Sequence, residues 1–139
     1  MPKLPSVLLV DDDPTNNFLN ERLLKRLEVT ERVLVAANGR EALALLHQSH
    51  TAPEPAYPAL ILLDIKMPVM NGIEFLQAYE QLPLDQQRAS TVVVLTTSMD
   101  AGDLARLEQL PAAGLVNKPL TQDKVDTLLR IHFARQPRA

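Results

Sequence analysis

Leu60-Ile61-Leu62-Leu63-Asp64-Ile65-Lys66-Met67-Pro68-Val69-Met70-Asn71-Gly72 decides how this chain folds. Its four leading aliphatic residues suit a buried strand, and they end on a single carboxylate, Asp64. Pro68 and the Asn71-Gly72 pair follow at once, so the strand stops and the chain turns, with Gly72 read as the source of backbone freedom. An acid at the carboxyl end of a central strand faces the crevice where open α/β sheets hold their ligands. Asp64 is thereby the candidate nucleophile, an acceptor for a phosphoryl group.

Outward from this stretch, strand and helix patterns alternate. Before it, Ser6 to Val10 is an aliphatic run that ends on Asp11-Asp12-Asp13. Asp13-Pro14 marks a helix start, an N-cap acid followed by Pro at the first helical position. Phe18, Leu19, Leu23, Leu24 and Leu27 then recur at helical spacing as one expected inner face. Arg32 to Ala37 reads as a second strand, and Glu41 to His47 as a helix with Ala42, Leu43, Leu45 and Leu46 inward. The Pro-rich segment His50 to Pro58 reads as a surface loop within the domain. After the central stretch come a helix over Gly72 to Leu82, a strand over Ser90 to Leu95, a helix over Asp100 to Leu110, a short strand Gly114 to Asn117 and a last helix capped by Thr121.

Five strands alternating with five helices, the strands apolar on both faces, imply a parallel sheet covered on both sides. The right-handed crossover rule makes this a doubly wound three-layer sandwich, one domain over residues 1–139 with its core over about 5–134. In such a sheet the strand ends share one edge. Asp11 and Asp12, Asp64, Thr96 and Lys118 therefore converge there from four separate strands. Crowded carboxylates repel, and a hard divalent cation, Mg²⁺ or Mn²⁺, relieves them through oxygen ligands. Asp12 and Asp64 are the expected direct ligands, Asp11 acts through water, and the Lys66 backbone carbonyl completes the set. Lys118 adds a point charge and Thr96 a hydroxyl toward phosphoryl oxygens, which is most of what phosphoryl transfer asks of a protein.

Composition narrows the alternatives. The chain has 139 residues and no Cys, which excludes disulfides and thiolate metal sites and fits a reducing, cytoplasmic setting. No apolar run reaches membrane-spanning length, and no signal-peptide pattern opens the chain. The net charge is −3, without a basic stripe beyond the short tail Arg135 to Arg138, and with no Trp, two Tyr and three Phe there is little for bases to stack on. Nucleic acid is thus not an expected partner. His47, His50 and His132 lack partners at metal spacing and read as structural or surface residues. Met67, Met70 and Met99 read as packing.

The segments Leu9 to Pro14, Asp64 to Gly72, Thr96-Thr97-Ser98 and Lys118-Pro119, in this order and spread over nearly the whole chain, resemble the signature segments of the response-regulator receiver family. The resemblance implies a flavodoxin-like sheet of order 2-1-3-4-5, Asp64 as phospho-acceptor, Asp11 and Asp12 as the acidic pair, Thr96 as the switch hydroxyl, and a cis bond between Lys118 and Pro119. It also implies a sensor histidine kinase or phosphotransfer protein as donor, a downstream protein target, and last helices open to pairing with a second copy. Finer details are similar to stand-alone, chemotaxis-type members. The chain departs from the family at Leu115, where members usually carry an aromatic residue that swings inward with the threonine; output is then expected through the loop Thr96 to Met99, including Ser98, and the helix after it. Ser98 and Lys66 are candidate modulators of acyl-phosphate lifetime. A phospho-acceptor signalling protein is expected, not an enzyme beyond its own phosphorylation and dephosphorylation. A small-molecule phosphatase would want an acid where Lys66 stands. A flavodoxin-like binding module would not need these acids and this lysine.

Overall fold

A computed structural model describes residues 3–51, 57–97 and 100–134. The elements, in chain order, are β1 (Val7–Val10), α1 (Pro14–Arg26), β2 (Val33–Ala36), α2 (Gly39–Thr51), β3 (Leu60–Asp64), α3 (Gly72–Tyr79), α4 (Leu84–Arg88), β4 (Thr91–Thr96), α5 (Ala101–Glu108), β5 (Gly114–Asn117) and α6 (Gln122–Phe133). All strand pairs are parallel, in the order β2-β1-β3-β4-β5.

The period-two alternation of strand side chains divides the core into two layers. Leu8, Val10, Ile61, Leu63, Val92 and Val94 pack with Ala42, Leu46, Ile73, Phe75, Leu76, Tyr79 and Leu107 from α2, α3 and α5. Val7, Leu9, Leu60, Leu62, Val93 and Leu95 pack on the other side with Leu24, Val125, Leu128 and Leu129 from α1 and α6. Every residue of β1 and β3 is buried, as their unbroken apolar composition requires.

Four differences from the expected layout have local causes. There are six helices among the described residues, not five, because α4 forms just after Pro83. It carries no apolar stripe, so periodicity is blind to it; the Tyr79 hydroxyl donates to the Gln87 carbonyl, and the Gln87 amide donates to the Glu80 and Leu82 carbonyls, tying it to the end of α3. Helix α3 accordingly stops at Tyr79, short of Leu82.

Phe18 and Leu19 face solvent, 58% and 55% exposed, and do not join the inner face of α1. That face is built from Asn17, Leu24 and Leu27, with the Asn17 amide donating to the Asp11 carbonyl at 2.8 Å. A polar residue holding the end of β1 has displaced the expected apolar one. On α5, Leu107 is buried while Leu104 is largely exposed.

Gly72 is the fourth difference. Its φ is not positive, so turn freedom is not its role. A Cβ at this position would lie 2.5 Å from the Asp64 carbonyl oxygen, so glycine is needed for the close approach of α3 to the end of β3. Asn71 caps α3 through a reciprocal capping box with Glu74, and Val69 takes the left-handed turn with φ 67°.

Candidate functional site

The sheet edge gathers the expected groups. β1 ends at Val10 and delivers Asp11 and Asp12, β3 ends on Asp64, β4 ends on Thr96, and Lys118 follows β5 directly. Asp11, Asp64 and Thr96 are buried and Asp12 is exposed. Carboxylate oxygens of Asp11, Asp12 and Asp64 all lie within 4.8 Å of one another. Lys118 Nζ donates to Asp11 Oδ2 at 2.8 Å and stands 3.4 Å from Asp64 Oδ1.

The two key carboxylates are held differently. Asp11 Oδ1 accepts from the Asp13 backbone N–H at 2.9 Å, and Oδ2 accepts from Lys118 and, at 3.3 Å, from Asn16 Nδ2. Both its oxygens are thus committed to protein donors. Asp64 Oδ1 accepts from the Ile65 backbone N–H at 2.9 Å, whereas Oδ2 accepts no hydrogen bond among the described residues.

Burial pushes the Asp64 carboxyl above its ordinary value; the Lys118 charge pulls it back and the Asp11 charge pushes it further up, and the net effect is upward. Burial by itself would lower Lys118, but the Asp11 hydrogen bond and the charges of Asp11 and Asp64 outweigh it, so the ammonium is held above the usual lysine range.

Other expected positions fall where the local structure puts them. Lys66 is exposed on the loop after β3, and Leu115 is exposed on the edge strand β5. The Lys118–Pro119 bond is cis. Met67 and Met70 pack against the core, as read from sequence. His50 pairs through Nδ1 with the Tyr57 hydroxyl. Ser98, Met99 and the tail Arg135 to Arg138 lie outside the described residues.

Sequence reasoning missed Asn16 and Asn17. Both sit in the first turns of α1 and fasten Asp11, one by its carboxylate and one by its carbonyl. The only sequence signal was two amides just past an N-cap, where solvated residues are ordinary. Asn16 also lines an open cleft of about 920 Å³ together with Leu19, Asn20, Thr97, Lys118 and Pro119.

The arrangement supports the chemistry of an anionic nucleophile beside an ammonium. Three carboxylates against one ammonium leave the rim negative, and an all-oxygen donor set of this kind fits a hard divalent cation. Asp11 is the carboxylate most engaged by protein donors, so Asp12 and Asp64 have the most free ligating capacity.

Residues 7–130 match the model of the response regulator receiver domain. The chain is 33% identical over 115 residues to a probable methanogenesis regulatory protein, FilR2, of Methanothrix harundinacea (strain 6Ac), covering 83% of this chain and 72% of the relative. It is 35% identical over 98 residues to the response regulator Rcp1 of Synechocystis sp. (strain ATCC 27184 / PCC 6803 / Kazusa), covering 70% of this chain and 65% of Rcp1. Among solved structures, a two component response regulator from Cytophaga hutchinsonii superposes with a TM-score of 0.84 at 30% identity, over 96% of this chain and 100% of that one.

Proposed function

This chain belongs to the response regulator receiver domain family, the phospho-accepting signalling modules of two-component systems, and within it we propose that Asp64 is the phospho-acceptor. The observation that carries this reading is the placement of Lys118 Nζ between Asp11 and Asp64 at the sheet edge, with Asp64 Oδ2 left open. Oδ2 is then the attacking atom. A phosphohistidine of a sensor histidine kinase or phosphotransfer protein supplies the group: the P–N bond breaks, its electron pair stays on the imidazole nitrogen, and an O–P bond forms to Asp64. The ionised carboxylate has no proton to lose, so no general base is required. Lys118 balances charge on the phosphoryl oxygens, and the Thr96 hydroxyl, buried at the end of β4, donates a hydrogen bond to one of them.

Asp12 and Asp64 would hold Mg²⁺ (or Mn²⁺) directly, with Asp11 acting through water and the Lys66 carbonyl completing the set. When bound, the ion neutralises phosphoryl charge and orients the group for in-line attack. Phe18 and Leu19, exposed on α1 near the cleft at Lys118, offer an apolar landing for the donor protein. Signal leaves as a change in the β4–α5 segment and the surfaces of α5 and α6, toward a downstream protein or a second copy, in the cytoplasm. Among the described residues no helix is long and apolar enough to cross a membrane. Lys66 stands two residues past Asp64, where a small-molecule phosphatase would need an acid, which favours a signalling acceptor over a turnover enzyme.

Incubation with Mg²⁺ and acetyl phosphate tests this reading. One phosphoryl group should add to the intact protein by mass, acid-stable and hydroxylamine-labile, and none to Asp64→Asn. Labelling of Asp64→Asn at the wild-type rate would refute it.

A further inference from the structure

We propose that Asn16 is a positioning residue for phosphoryl transfer, its side-chain amide holding Asp11 Oδ2 as the Lys118 ammonium leaves that oxygen for the incoming phosphoryl group. This rests on the reading of Asp64 as acceptor.

At rest Asp11 Oδ2 has two side-chain donors, Lys118 Nζ at 2.8 Å and Asn16 Nδ2 at 3.3 Å. Asp11 is only 5% exposed, so bulk water is poorly placed to replace a donor that departs. A buried carboxylate left without its partner bears the full penalty of desolvation. Yet transfer demands that departure. Lys118 already stands 3.4 Å from Asp64 Oδ1, and the phosphoryl group brings further anionic oxygens to that side. The ammonium is drawn toward Asp64 while Asp11 Oδ2 loses its nearest donor.

Asn16 is the other donor to that oxygen among the described residues. Its amide must present Nδ2, because an amide oxygen facing a carboxylate would repel it. The contact is long while the ammonium occupies the oxygen, and it has room to shorten once the ammonium moves. A contact that strengthens along the reaction raises the rate, whereas one of constant strength does not. The support beneath Asn16 is rigid. Asp13 caps α1 by accepting from the Thr15 backbone N–H at 2.9 Å, and the Asn17 amide grips the Asp11 carbonyl at 2.8 Å, so the helix start is tied to the strand end.

The test compares wild type, Asn16→Leu, which keeps the bulk and removes the donor, and Asn16→Gln, which keeps an amide. With Mg²⁺ and acetyl phosphate, the acetate–phosphorus bond breaks, acetate leaves with the electron pair, and the Asp64 oxygen bonds phosphorus. The maximal labelling rate of Asn16→Leu should fall about tenfold, the lower end for losing a hydrogen bond to a charged group, with half-saturating acetyl phosphate unchanged. Asn16→Gln should recover most of the rate. Independently, the Asn16 side-chain amide protons should move downfield in ¹⁵N–¹H spectra when Mg²⁺ and beryllofluoride are added. A rate for Asn16→Leu equal to wild type, a Gln variant as slow as the Leu variant, or a stationary amide signal would each overturn the proposal. Failure of wild type itself to label would instead overturn the assignment of Asp64, so the two failures are distinct.

Discussion

Lys118 and Asp11, 107 positions apart in the chain, meet at 2.8 Å in the partly buried rim of the sheet. The ion pair holds the end of β1 to the end of β5 across two intervening strands, and it sets the charge state in which Asp64 waits.

Removing that ammonium leaves two buried acids facing each other. Lys118→Met should therefore lower unfolding free energy by about 1–3 kcal/mol, the range for leaving a buried polar partner unsatisfied. Urea titrations with and without Mg²⁺ check this, and added Mg²⁺ should restore much of the loss. An unchanged midpoint without metal would contradict the geometry.

Acidity of Asp64 predicts a pH signature. Its folded carboxyl is raised above the ordinary value by burial, so the folded state holds this proton to higher pH than the unfolded chain does. Stability credited to this group is then present at low pH and falls as pH rises through the window between the unfolded and the raised folded values. Asp64→Asn lacks this loss and should be the more stable protein at neutral pH without divalent cation. Denaturation midpoints of both proteins across that window measure it. Lys118 works in the opposite range: its raised folded value supports stability below the unfolded lysine value, and that support is lost as pH climbs through the folded one.

Gly72→Ala should be harmful although the residue has an ordinary φ. A Cβ 2.5 Å from the Asp64 carbonyl oxygen meets backbone, which cannot swing aside as a flexible side chain would. A loss of about 1–3 kcal/mol, typical of overpacking, is expected in thermal or urea unfolding, with slower labelling of Asp64 because the strand end shifts. By contrast Asn71→Ala removes only the cap of α3 and should cost about 1 kcal/mol while labelling stays normal.

Exposure separates two classes of residue on α1. Phe18→Ala and Leu19→Ala should change stability by less than about 0.5 kcal/mol, as surface substitutions do, yet slow transfer from a phosphorylated donor protein and leave acetyl phosphate labelling intact. Leu24→Ala should cost about 2–5 kcal/mol through the cavity it leaves in the core.

The sequence was most legible where residue type and strand position agree. Unbroken aliphatic runs gave β1, β3 and β4, and the polar residues at their ends gave Asp11, Asp64 and Thr96 a common edge. It was least legible where a polar group takes an inward position. Asn17 holds the inner face of α1 by its bond to the Asp11 carbonyl, and no hydrophobic count can anticipate that. Helix α4 escaped for a related reason, since side-chain bonds from Gln87, not an apolar stripe, fasten it. The Asn71-Gly72 pair marks the turn after β3, but what demands glycine is steric room at position 72, and Val69 carries the unusual backbone angle.

Each proposed reacting group is rooted at or just beyond the last residue of a strand, and none is rooted in the middle of a helix. The chemical core is therefore anchored to the hydrogen-bonded sheet, while the helices present the outer relief that other proteins meet. Such a division lets the address of the molecule be rewritten on its outside, residue by residue, without retuning the reaction it houses.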